Sequence, residues 1–142
     1  MKAKDVMSRA VITVRPHVSV DIAAAVLVAH GFASAPVVTA EGVLRGMVSE
    51  GDLLRTRPVP DVPTIGADPT TVADVMTPQP TTVWAADELV DVAGVLLDRG
   101  VHAVPVLEGE RLVGILSRHD VLRLIARRRK APTDRQAAAT AS

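Results

Sequence analysis

Two serine–aspartate pairs carry the main chemical signal in this chain. Ser49 precedes Asp52 by three residues, Ser117 precedes Asp120 by the same spacing, and both pairs follow an apolar run. A serine so placed can N-cap a helix, and an aspartate in the first turn lies where the positive end of the dipole favours a carboxylate. That structural role needs no ligand. The remaining candidates are sparse. His17, His30, His102 and His119 show no metal-ligand spacing, so no metal site is expected, and His30 falls near a predicted helix end, where a cation is welcome. There is no cysteine, which removes thiolate nucleophiles, Cys-based zinc sites and disulfides. No Ser–His–acid arrangement is recognisable. The chain is therefore expected not to be an enzyme.

These pairs belong to a larger repetition. Asp5-Val6-Met7-Ser8 returns as Asp74-Val75-Met76-Thr77, and Thr13-Val14 as Thr82-Val83. Gly31, Pro36 and Val37 return as Gly100, Pro105 and Val106. After a one-residue slip, Leu44, Gly46, Ser49, Asp52, Leu54 and Arg55 return as Leu112, Gly114, Ser117, Asp120, Leu122 and Arg123. A unit of roughly fifty residues occurring twice is too few for a solenoid. Two halves packed about a pseudo-twofold axis are expected instead, with clefts between them that suit a ligand.

The elements that must position these residues follow from pattern. In copy one a capped turn around Asp5 leads to a strand over Val11–Val14; in copy two the turn spans Thr71 to Met76 and the strand Thr81–Trp84. A helix follows, capped by Ser19 or Asp87. Its buried stripe is Ile22, Ala23, Val26 and Leu27 in copy one, and Val92, Val95 and Leu96 in copy two. Gly31 and Gly100 stand at the left-handed positions that end those helices. Two strands come next, Ala35–Val38 and Val43–Val48, or Val104–Leu107 and Arg111–Leu116. A closing helix then starts at Ser49 or Ser117. The fold class is α+β, built from two β-α-β-β-α units. The boundaries are 1–56 for the first unit, 57–70 for a proline-rich linker, 71–130 for the second unit and 131–142 for a disordered tail.

Composition narrows the function classes. The chain has 142 residues, 48% of them hydrophobic, yet Phe32 and Trp84 are its only aromatics. A Val/Leu/Ala/Ile core suited to strands follows, and a lone Trp is expected to be buried packing, with a base pocket as the other reading. Formal net charge is zero, so no global field recruits nucleic acid or an anionic membrane. The run Arg127-Arg128-Arg129-Lys130 is expected to complement the dipole of the last helix. The N-terminus shows no apolar signal region, and the apolar stretch from Ile22 to Ala29 is far short of the roughly 20 residues of a membrane span. A soluble cytoplasmic protein is expected, with neither nucleic acid nor membrane as a partner.

The doubled Gly-x-x-x-x-Pro-Val of 31–37 and 100–106, with the doubled Gly-x-x-Ser-x-x-Asp of 46–52 and 114–120, resembles the CBS (cystathionine β-synthase-type) domain. Two such motifs in one chain resemble a tandem pair, or Bateman module, over about residues 5–56 and 74–127. The resemblance implies a regulatory sensor of adenosine-containing ligands, AMP, ADP, ATP or S-adenosylmethionine, with no obligatory cofactor. It implies that the motif aspartate takes the ribose hydroxyls, that the serine supports phosphate or ribose, and that adenine is held by backbone before the Pro-Val strand of the other copy.

Carried over residue by residue, one cleft combines Ser8, Thr13, Phe32, Ala33 and Ser34 with Ile115, Ser117, Arg118, His119 and Asp120. The other combines Thr77, Thr82, Val101, His102 and Ala103 with Met47, Ser49, Glu50 and Asp52. Arg118 and His119 stand where phosphate would lie, whereas copy one has Glu50 and Gly51 there. An arginine can bind phosphate bidentately, so the Asp120 cleft is the favoured one. The resemblance further implies a homodimer burying helix faces such as Ala24/Val28 or Leu97, and signalling to a regulated partner protein. The alternative is a constitutive interaction scaffold with vestigial clefts.

Overall fold

The computed structural model describes residues 1–56 and 70–127. The expected tail, and all of the expected linker except Thr70, lie outside the described residues. Copy one contributes α1 (Ala3–Val6), α2 (Val20–His30), β1 (Ser34–Val38), β2 (Leu44–Ser49) and α3 (Glu50–Thr56). Copy two contributes α4 (Val72–Val75), β3 (Thr77–Pro78), β4 (Val83–Trp84), α5 (Leu89–Asp98), β5 (Ala103–Glu108) and β6 (Arg111–Ser117). A last helix, α6, covers 118–127.

The α+β class is as expected, and the helix signals act through identifiable atoms. Ser19 caps α2 by accepting the Ile22 N–H at 3.2 Å. Gly31 closes that helix at φ 67°, donating its N–H back to the last turn. In copy two the cap is Glu88, not Asp87. The Asp87 carboxylate instead accepts the Trp84 N–H at 2.8 Å, closing the turn before the helix. The buried stripe of α2 is Val20, Ala23 and Leu27, while Ile22 is exposed. In α5, Val92 and Leu96 are buried as expected. Trp84 is not buried packing: 54% of it is exposed.

Each copy builds a hairpin. β1 pairs with β2 antiparallel and β5 with β6, each with a bulge near its connecting turn. β4 lies parallel to β5. In copy one only Val14 of the expected 11–14 strand pairs, its N–H donating to the Pro36 carbonyl at 3.0 Å.

The leading turns cross over. β3 belongs to copy two, yet it pairs with β2 of copy one. Reciprocally, Ser8 pairs with Ile115 of β6 through N–H···O bonds of 2.8 and 2.9 Å. The helical turns ahead of them cross too. Ala3 and Lys4 of α1 donate to the Asp87 and Ala85 carbonyls, and Val72 and Ala73 of α4 donate to Val18 and Pro16. There are two cores, each completed by the other copy. Ala3 and Met7 join Val83, Val92, Leu96, Val104, Val106 and Leu116. Val72 joins Val14, Val20, Ala23, Leu27, Ala35, Val37, Val48 and Leu53.

That exchange explains why Asp-x-Met and Gly recur together. Asp5 and Asp74 accept the N–H of the residue three earlier, holding the short turns closed. Met7 then lies over Gly114 and Met76 over Gly46. A Cβ added at Gly114 would meet the Met7 Sδ at 2.5 Å and the Ser8 carbonyl at 2.9 Å. One added at Gly46 would meet the Thr77 carbonyl at 2.6 Å and the Met76 Sδ at 2.8 Å. Backbone approaches that close are open to glycine alone.

Candidate functional site: a cleft between the two copies

Ser117 ends β6 and opens α6. Its N–H donates to Asp120 Oδ2 at 2.8 Å, while the Asp120 N–H donates to Ser117 Oγ at 3.1 Å. This reciprocal capping box satisfies two N–H groups at the helix start. Arg123, one turn on, donates to Asp120 Oδ1 at 2.6 Å. Copy one repeats the arrangement with Ser49, Asp52 and Arg55 at 2.9, 3.2 and 2.6 Å. The structural role expected of both pairs is thus present. It does not exhaust the carboxylate, because each oxygen carries two lone-pair sites and only one per oxygen is taken. The Asp120 side chain is 10% exposed, and what is exposed lines a cleft.

That cleft has a volume of about 360 Å³ and runs between the copies. Of the residues expected in the favoured site, Ser8, Phe32, Ala33, Ser34, Ile115, Ser117 and Asp120 line it, joined by Ala10, Val11, Ile12 and Pro36. From the other expected site, Met47, His102 and Ala103 open into the same cleft. Crossing of the leading turns makes this possible: Ser8 reaches the wall only because its strand is bonded to β6 of the other copy. Ala10, Val11, Ile12 and Pro36 are not among the residues expected from the sequence. For Ala10 and Ile12 the signal is alternation with Ser8, since residues two apart on an extended segment share a face; Val11 borders the hollows on both sides.

Three expected residues do not line it. Thr13 is out of phase with Ser8, Ala10 and Ile12 and faces the reverse side of the same segment, with Arg9 and Arg15. Arg118 is turned away. Its Nε donates to the Val101 carbonyl at 2.9 Å and its Nη2 to the Leu96 carbonyl at 3.0 Å. A cation on the Leu96 carbonyl, in the last turn of α5, is favoured by the helix dipole as well as by the hydrogen bond. The expected phosphate contact, on which the preference for this cleft rested, is therefore not made in this arrangement. His119 is exposed on the next position of α6.

The other expected site is less assembled. Asp52 is 7% exposed and held by its own box and Arg55. Thr77 is placed opposite Met47 by the β2–β3 register. Val101 packs on the copy-two core and spends its carbonyl on Arg118. Thr82 is half-buried beside β4. Glu50 has the position that Arg118 has in copy two but cannot donate to carbonyls. It borders an open groove of about 410 Å³ with Ala24, Leu27, Val28, Gly31, Phe32, Leu53 and Leu54. Phe32 belongs to both hollows. Among the described residues no group of three or more His, Asp or Glu could hold a metal ion, and no helix is long and apolar enough to cross a membrane.

A doubled hairpin, exchanged leading turns and a cleft at the repeat interface define a known architecture, and the sequence model for the CBS domain matches residues 3–58 and again 72–127. The chain belongs to the CBS domain family. Two copies in one chain make it a CBS pair, and solved CBS-pair structures superpose on it. Arabidopsis thaliana CBSX2 in complex with AMP is 29% identical with a TM-score of 0.76, covering 89% of this chain and 96% of that one. The CBS domain pair of protein MJ0100, in complex with 5′-methylthioadenosine and S-adenosyl-L-methionine, is 25% identical with a TM-score of 0.73, covering 90% and 98%. The CBS pair is also 32% identical to the A-adding tRNA nucleotidyltransferase of Aquifex aeolicus over 88% of this chain. It spans only 14% of that relative's length.

Proposed function

We propose that this CBS pair is a regulatory sensor that binds one adenosine-containing ligand in the Asp120 cleft without turning it over, and signals occupancy to a partner protein. The observation that carries the reading is the Asp120 carboxylate, fixed by Ser117 and Arg123 yet open to the cleft with a lone pair free on each oxygen. Two vicinal ribose hydroxyls suit such a pair of acceptors. The apolar wall of Ala10, Val11, Ile12 and Ile115 suits a base. The AMP and S-adenosylmethionine complexes of CBSX2 and MJ0100 support the same ligand class.

Ligand would bridge Ser8 and Phe32 of one copy to Ser117 and Asp120 of the other. It would thereby favour one angle between the copies over another, a population shift. Signalling needs an outer surface, and the exposed apolar residues Val28, Leu54, Leu97, Leu122 and Ile125 provide one on four helices. A homodimer is proposed to form through these faces, in the cytoplasm.

The test is a thermal-shift panel of AMP, ADP, ATP, S-adenosylmethionine, NAD and cyclic di-AMP on wild type, Asp120→Ala and Asp52→Ala. A ligand at a hundred times its Kd adds about 2.7 kcal/mol. Either substitution alone loses a capping box, at about 0.5–2 kcal/mol, so the quantity to compare is the increment on adding ligand. An increment present in wild type and Asp52→Ala but absent in Asp120→Ala is the expected result. No increment with any compound would replace the sensor by a constitutive interaction scaffold.

A further inference from the structure

The segment from Ser8 to Arg15 has two faces, and the nucleotide cleft uses one. Ser8, Ala10 and Ile12 line that cleft, while Arg9, Thr13 and Arg15 line a separate pocket of about 300 Å³ on the reverse. Its far wall is the β1–β2 turn, with Val38, Thr39 and Gly42, and its floor includes Leu112 of β6. The two guanidiniums are under-used. Arg9 makes one long contact, 3.5 Å to the Lys4 carbonyl. Arg15 leans on the field of Glu41 without a direct hydrogen bond among the described residues.

Arg9 and Arg15 are the charged residues that line the pocket, and Glu41 and Arg111 stand beside its lining residues Ala40, Gly42 and Leu112 in sequence. The Arg111 guanidinium is spent on the Glu41 carbonyl at 2.7 and 3.0 Å. Glu41 is held below the ordinary glutamate range first by its own backbone N–H, then by the Thr39 hydroxyl, with Arg15 and Arg111 adding to the effect. Two lining cations with no lining anion leave a positive rim. The feature is not imposed by the repeat, because Arg9 and Arg15 correspond to Pro78 and Trp84 in copy two.

We propose that this pocket is a second ligand site, taking the phosphate dianion of a small phosphomonoester. Arg9 and Arg15 would grip the oxygens as paired forks. The Thr13 hydroxyl would donate to a third oxygen, and Val11, Val38 and Leu112 would cover the ester's carbon body. Val11 borders both hollows, but none of the polar groups proposed to hold this phosphate lines the Asp120 cleft, so the site stands or falls separately from the nucleotide reading.

The experiment titrates the isotope-labelled full chain with inorganic phosphate and with glycerol 3-phosphate at low salt, reading backbone amide shifts, with sodium chloride as control. Saturable shifts are expected at Thr13, at 39–42 and at Leu112, stronger for the ester. Arg9→Gln/Arg15→Gln should weaken binding by roughly tenfold or more while leaving the remaining spectrum in place, which shows the variant folded. Glu41→Gln, removing the competing carboxylate, should tighten it. The proposal is overturned by an absence of saturable shifts, by shifts that survive the double substitution, or by shifts confined to Ser117 and Asp120. Equal affinity for the two compounds would overturn the assignment to an ester.

Discussion

Gly46 and Gly114 show how a single absent side chain can fix a fold. Each lies under a methionine from the other copy, and an added methyl would press on backbone carbonyls as well as on sulfur. Gly46→Ala and Gly114→Ala are each expected to cost about 1–3 kcal/mol by overpacking, measured by urea denaturation. Arg118 gives a contrasting case. Arg118→Ala removes two donors to carbonyls of α5 and its C-terminal turn. It should cost about 1–3 kcal/mol with nucleotide affinity unchanged, and a specific loss of affinity for triphosphate over nucleoside would return it to the cleft. The carbonyl anchors of Arg118 were illegible in the sequence because spacing does not reveal which way a long, flexible side chain turns. The Ser-x-x-Asp boxes were legible because a cap is a local interaction closed within three residues.

Among elements, the helices and hairpins could be read from periodicity and caps, and their ends fell within a residue or two of expectation. The exchange of α1 and α4 could not. Asp-Val-Met marks a capped turn, but nothing within the turn says which core its methionine enters; that depends on β6 and β2, far along the chain. The exchange yields a prediction that a simple pair of domains would not. Met7→Ala should cost about 2–5 kcal/mol, and hydrogen exchange should rise in β4–β6 and α5 of copy two rather than in α2 and β1 of its own copy. The missing strand at 11–13 has a related cause. Those residues border two hollows, Ile12 on one side, Thr13 on the other and Val11 on both, instead of pairing with a neighbour, so they look like a strand in sequence while only Val14 is bonded as one.

For the molecule as a whole, most of the large apolar residues left outside are on helices: Ile22, Val28, Leu54, Val90, Leu97, Leu122 and Ile125. The two cores hold nearly all the buried apolar positions among the described residues, and these side chains stand outside both. These are the side chains that the proposed self-association would cover. Val28→Glu with Leu97→Glu is expected to convert a dimer to a monomer in analytical ultracentrifugation without loss of secondary structure by circular dichroism. A wild-type chain that sediments as a monomer at all concentrations would assign the face to the partner protein instead. Phe32 lines both the Asp120 cleft, where we propose nucleotide binds, and the groove beside Val28 and Leu54. Phe32→Ala should therefore weaken the dependence of association on nucleotide more than it weakens either binding step alone.

Because each core borrows its opening turn from the other copy, neither half of the chain is a complete folding unit. Expressed apart, a fragment of residues 1–56 would carry α1 with no sheet to receive it and a core lacking Val72. A fragment beginning at Thr70 would lack Ala3 and Met7 in the same way. Mixed in solution, the two pieces should find one another and regain the fold together, so the repeat that reads as duplication in sequence behaves in three dimensions as a lock and its own key.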